Sequence, residues 1–279
     1  MSFANLLFIP AVLAAVLNVN QSKIRLVAAP GESKSGIIEV ENPTKEDMII
    51  KVYTEDWVYA PARDGSKEFY NAGTMPRSCA KWISFVPADI IVPPLGKQNI
   101  NYTVKVPKNA GGTNCAVLFF ETMIGRTPAV NGEQDVGVNL VVRVGTIFLV
   151  ETGDVLRQAR IDNLSLDKNS DGKYCVNLDF RNTGNSDITT EGTLDVIDDK
   201  GMVYARGLFN ALYTLPGDPG KLLAVVNQDI PAGVYDMVMT FNLGKARLES
   251  GLKDGPVLVK EAGITVGEAG EITKWQEKD

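Results

Sequence analysis

The stretch from Val136 to Val150, VGVNLVVRVGTIFLV, limits what this chain can fold into more than any other. Val136, Val138, Leu140, Val142, Val144, Phe148 and Val150 share one parity, and a β-strand turns alternate residues to opposite faces. The other parity starts polar or small, with Gly137, Asn139, Arg143 and Gly145, and ends apolar with Ile147 and Leu149. The pattern predicts a strand with one face buried along its length and both faces buried toward its end. Such a strand closes a first β domain and leads through Glu151–Asp154 into a second.

The surrounding sequence supplies partner strands. Lys23–Ala29, Gly36–Glu41, Met48–Trp57, Lys81–Pro87, Ile90–Pro94, Gln98–Val106 and Asn114–Met123 read as strands, while Ala60–Ala72 and Gly125–Asp135 read as loops. Ile100, Tyr102, Val104 and Val106 alternate with polar residues, as in a half-buried antiparallel strand. Turn signals recur roughly every 8–12 residues, the spacing of an immunoglobulin-like sandwich. The pattern then repeats in Ala159–Leu166, Lys173–Asn182, Gly192–Asp198, Gly201–Ala205, Leu222–Asn227, Val234–Leu243 and Gly255–Val266. The expected architecture is all-β, with two tandem immunoglobulin-like β-sandwich domains over 21–151 and 154–268 and a frayed polar tail over 269–279. No low-complexity linker separates the domains.

Composition removes several functions. The net charge of −6 and the lack of a basic run argue against nucleic acid, since phosphate binding needs clustered Lys and Arg. Histidine is absent, which removes the usual general base and the commonest metal ligand. No motif with a catalytic mechanism is present, so neither an enzyme nor a cofactor is expected. Asp56, beside Trp57, and the carboxylates near Glu121 could form an acid/base pair, but scattered acidic residues are more simply solvated. Asp167–Gly172 opens like a calcium loop, yet the twelfth position is Leu178 rather than a bidentate carboxylate. A hairpin turn explains it more simply.

The N-terminal segment LLFIPAVLAAVL, Leu6–Leu17, is too short for a membrane-spanning helix, which needs about 20 residues. It suits the apolar region of a secretory signal over 1–20, with Ala14 or Ala15 near the cleavage point. No Lys or Arg precedes it, so an uncleaved N-terminal strand or helix is the alternative. Exported proteins form disulfides, and Cys79 with Cys115 is the more plausible pair; three buried thiols are the equal alternative. Arg25 and Arg143 sit in strands that otherwise look half-buried. They are either outward edge charges or two cations converging on a carboxylate.

Several stretches together resemble the PapD-like periplasmic pilus chaperones. KIRLVAAPGESKSGIIEVEN resembles that family's first two strands, with Arg25 placed like its first-strand arginine and Asn42 closing the second strand. SCAKWISFVPADIIVPPLGKQNINYTV resembles its Pro-containing strand and turn, and DFRNTGNSDI, LPG and PAGVYDM resemble features of its second domain. The resemblance implies a periplasmic chaperone that binds pilin-type subunits by lending them a strand, with an usher as a further partner. The implied donors are Val136, Val138, Leu140 and Val142, although alternation alone equally allows them to face their own core. The family's carboxylate-gripping lysine has no counterpart, because RVGTIF puts Gly145 or Thr146 there. Arg143, on the same face as Gly145, is the substitute alongside Arg25. The rival expectation is a structural or adhesive envelope protein built from tandem immunoglobulin-like domains.

Overall fold

A computed structural model describes residues 17–127, 138–244 and 255–278. The first half holds β1 (Asn18–Val19), β2 (Lys23–Val27), β3 (Ser33–Glu41), β4 (Met48–Tyr59), β5 (Lys67–Asn71), β6 (Ile83–Val86), β7 (Asp89–Val92), β8 (Lys97–Lys105), β9 (Gly112–Thr127) and β10 (Val138–Thr152). The second half holds β11 (Ala159–Lys168), β12 (Tyr174–Asn182), β13 (Ile188–Asp198), β14 (Val203–Leu208), β15 (Leu212–Thr214), β16 (Pro219–Val226), β17 (Gly233–Leu243), β18 (Val257–Val266) and β19 (Ile272–Lys278). The chain is all-β, with two tandem immunoglobulin-like sandwiches. One compact unit holds the residues before Trp57 together with Asn71–Lys108 and Cys115–Val150. The other holds Trp57–Tyr70, Asn109–Asn114 and the chain from Glu151 onward.

In the first sandwich a four-stranded sheet, β1-β3-β8-β6, is joined by a six-stranded one, β2-β10-β9-β4-β5 with β7 on β4. The chain changes sheets between Val19 and Lys23, because β1 pairs with β3 while β2 lies beside β10. The predicted alternation of β8 holds, with Ile100, Tyr102 and Val104 buried. Tyr102 meets Phe148 of the other sheet edge-on, with ring centroids 5.1 Å apart. In the second sandwich β11-β12-β16 faces β14-β13-β17-β18-β19, with β15 on β13. Phe180, Leu222, Met239 and Phe241 belong to its one continuous core.

Each sandwich carries the same asparagine device. Asn42 is fully buried, and its amide donates to Glu46 O at 2.7 Å and Val92 O at 2.9 Å. Its Oδ1 accepts the Thr44 N–H at 2.9 Å. In the second sandwich Asn182 donates to Ser186 O at 2.8 Å and accepts the Gly184 N–H at 3.1 Å. Both side chains thus span the same sequence offsets at the end of a strand and satisfy backbone groups that a buried turn would otherwise strand.

The structure corrects several expectations. Ala60–Ala72 is not all loop, since β5 pairs with β4 after a turn in which Ala60 N donates to Ser66 O at 2.9 Å. The tail is not frayed, since β19 pairs with β18 from Glu261↔Lys278 to Val266↔Ile272. Both are polar edge strands, which carry too little apolar alternation to announce themselves. β15 was likewise too short to read. Trp82 ends a 3-10 turn, Ala80–Trp82, before β6 begins, and β9 runs on through Gly125 to Thr127. The first sandwich begins before residue 21, since Leu17 is buried and Asn18 and Val19 pair with Glu41 and Val40. The rest of the expected signal segment lies outside the described residues. Asp167–Gly172 is a hairpin turn in which Asn169 Oδ1 accepts the N–H groups of Asp171 and Lys173 at 3.0 and 2.9 Å. Cys79 and Cys115 form no disulfide; all three cysteines are buried thiols, and burial holds the Cys79 thiol well above its ordinary pKa.

Replacing Asn42 removes the donor to three carbonyls, those of Glu46, Val92 and Pro93, and the acceptor of the Thr44 N–H and hydroxyl. Asn42→Ala is expected to destabilise the first sandwich by about 1–3 kcal/mol, read as a lowered urea midpoint.

Candidate functional site

β10 has two differently built ends. Phe148, Leu149 and Val150 are fully buried, as expected for a segment covered on both faces. Val142 and Val144 are half-buried. Leu140 and Val141, which alternation turns to opposite faces, are 48% and 50% exposed. The expectation of one buried face along the whole strand therefore fails at Leu140. Parity shows which face a residue takes but not where the facing sheet stops, and here the packing of Tyr102 on Phe148 lies toward the far end. Val138 opens β10; Val136 lies outside the described residues.

The edges of β10 are unequal too. It lies between β9 and β2, but it has 15 residues and β2 has 5. Ile147 N donates to Ser22 O at 2.9 Å and Thr146 Oγ1 to Gln21 O at 2.6 Å, so β2 starts opposite this point. Whichever way β2 runs, its five residues reach no further than about Val142. Val138–Val141 extend past it, and among the described residues no other strand takes that edge. A stretch with an unpaired backbone edge and apolar side chains exposed on both faces can add itself to another sheet.

The two arginines sit on neighbouring strands, Arg25 on β2 and Arg143 on β10. Arg25 is half-buried and has partners of its own. The Arg143 guanidinium lies 4.4 Å above the centre of the Phe119 ring and 3.3 Å from Glu55 Oε2. Tyr53 pairs with Phe119 across the β4–β9 ladder and donates from Oη to Glu121 Oε2 at 2.6 Å. Burial, then the bond to Glu121, raises the pKa of the Tyr53 phenol. The bond to Tyr53 is the first cause that raises the pKa of Arg143. β10 is tightly packed at Gly145 and Thr146. A Cβ on Gly145 would fall 2.7 Å from Val117 Cγ2 and 2.9 Å from Phe119 Cε1, and Thr146 is fully buried.

Tyr53, Glu55 and Phe119 were not singled out from sequence, and Glu121 only as a scattered carboxylate. The available signal was parity, since Tyr53 and Glu55 alternate with Val52 and Thr54 on β4. Asp56 and Glu121 do not form an acid/base pair. Asp56 is buried and accepts the N–H groups of Thr74 and Met75 at 2.7 and 2.9 Å, and the Ser78 hydroxyl. No helix among the described residues is long and apolar enough to cross a membrane.

No protein-family model and no curated relative matches the sequence. Several solved structures do. The class 5 fimbriae chaperone CfaA matches at 15% identity over 87% of this chain and 98% of that one, with a TM-score of 0.47. A chain of the CsuC–CsuE chaperone–tip adhesion subunit complex from Csu pili of Acinetobacter baumannii matches at 12% over 87% and 97%, with a TM-score of 0.43. The Pseudomonas aeruginosa CupB2 chaperone matches at 12% over 85% and 95%, at 0.36. A PapD-like domain of human CEP192 matches 55% of this chain and 99% of its own length, at 15% identity and 0.31.

The Tyr53 cluster yields a directional test. Glu121→Gln is expected to bring the Tyr53 pKa down toward the ordinary phenol value in a spectrophotometric titration. Because the folded-state pKa lies above the unfolded one, Tyr53 stabilises the fold at pH values below its unfolded pKa. That contribution is lost as pH rises through the folded pKa, so the alkaline loss of stability due to Tyr53 should be smaller in the variant and complete at a lower pH.

Proposed function

We propose that this chain is a distant PapD-like periplasmic chaperone that holds a pilin-type subunit by lending it the first part of β10. The observation that carries this reading is the Val138–Val141 stretch, with an edge beyond the reach of β2 and with Leu140 and Val141 half exposed. Backbone pairing along that edge supplies affinity, and side chains on one face fill the subunit's groove. Leu140 and Val142 are the donors within the described side chains, with Val138 at the start of the strand and Val136 before it. Fully burying such a side chain contributes about 1.5–3 kcal/mol, less the cost of ordering the strand end. The chaperone acts without catalysis or cofactor, and an usher is its second expected partner.

Arg25 and Arg143 are the proposed grip on the subunit's C-terminal carboxylate. Glu55 already occupies Arg143 at 3.3 Å, with the arginine side chain 41% exposed. An exposed pair of this kind is worth only about 0–1 kcal/mol, so an incoming carboxylate can displace it at small cost.

Two measurements test the reading. Leu140→Glu should lower the amount of subunit co-purifying from the native envelope by about tenfold or more while leaving the urea midpoint unchanged. Undiminished capture would return the chain to the class of tandem-domain surface modules. Separately, Arg25→Ala should weaken binding of a subunit peptide with a free C-terminus and leave the amidated peptide unaffected. Equal losses for both peptides would exclude a carboxylate grip.

A further inference from the structure

The outer face of the β11–β12–β16 sheet carries a groove of about 680 Å³, lined among others by Arg63, Arg160, Asp162, Asp179, Arg181 and Lys221. All of these belong to the second compact unit. The ladder sets Arg160 directly opposite Arg181, and Asp162 opposite Asp179. Like charges facing one another across a ladder destabilise a sheet, since their Cβ atoms lie only about 4.5–5.5 Å apart.

The two rows are resolved differently. Each carboxylate has a cation: Asp162 lies 2.6 Å from Arg160 Nε, and Asp179 lies 3.2 Å from Lys221 Nζ. Asn163 Nδ2 adds a donation to Asp179 at 2.8 Å. Arg63 is held by Asp218 at 3.0 Å and donates to Tyr59 O at 2.6 Å. Three carboxylates thus hold three of the four cations. The fourth, Arg181, is exposed, and its guanidinium makes no hydrogen bond or ion pair among the described residues.

We infer that Arg181, with Arg160 opposite it, binds an oxyanion carried on an organic body. The planar guanidinium fork matches a carboxylate or a phosphate with two parallel hydrogen bonds. The groove falls within the roughly 300–1,000 Å³ range of ligand sites, which exceeds what a bare anion fills. Pro61, Ala62 and Pro219 give it an apolar border. An oxyanion at this point would also relieve the Arg160–Arg181 repulsion, which nothing in the fold itself requires.

The test is calorimetric titration of the full chain with sodium phosphate and with N-acetylglutamate, at constant ionic strength in chloride. Saturable binding of at least one probe is expected, with affinity reduced about tenfold or more in Arg181→Gln. The tighter probe assigns the chemistry, phosphate or carboxylate. Arg206→Gln, an equal charge change on the other sheet, should leave affinity intact. In chloride alone, Arg181→Gln should keep or raise the urea midpoint, because it removes a repulsion. Absence of binding, equal affinities for wild type and Arg181→Gln, equal losses in the two variants, or a lowered midpoint for Arg181→Gln would each overturn the inference.

Discussion

Everything proposed for β10 depends on how firmly its far end is held. Phe148, Leu149 and Val150 lose all contact with water, and each such burial is worth about 1.5–3 kcal/mol. Tyr102 fixes Phe148 edge-on from the opposite sheet, an arrangement that adds packing specificity to area. Thr146 and Ile147 then tie the strand to the chain just before β2. With one end anchored this way, the other can extend past its neighbour without the strand as a whole coming loose. An exposed apolar ribbon is ordinarily a hazard for aggregation. Confining it to a few residues beside Arg143 keeps that hazard local.

The outward face of the same sheet shows polar chemistry used with restraint. Arg143, Glu55, Tyr53 and Glu121 satisfy one another over the ring of Phe119. Their pairs are partly exposed, so they add little to stability. What they provide is a charged surface already ordered around an arginine. Gly145 belongs to this arrangement, since only a residue without a Cβ lets the strand lie against Val117 and Phe119. Packing therefore closes this position to any larger side chain.

Much of the fold was legible in the sequence because burial leaves a period-two record. β8 and the far part of β10 follow it closely, and the two asparagines at strand ends fall within the stretches that drew attention on sequence grounds. Three things left no such record. Edge strands such as β5 and β19 bury little, so they read as loop and tail. The point along β10 where burial ends depends on the length of the facing sheet, which Leu140 itself does not encode. The Arg143 cluster gathers residues from three strands, and one sequence without the register cannot show that Tyr53 faces Phe119.

The cysteines have a practical consequence. Cys79 and Cys115 lie in the first compact unit and Cys175 in the second. A thiol reagent in solution reaches a buried sulfur only when the structure around it opens. Labelling rates at the three positions would therefore clock the opening of each half separately, with no dye or tag engineered in.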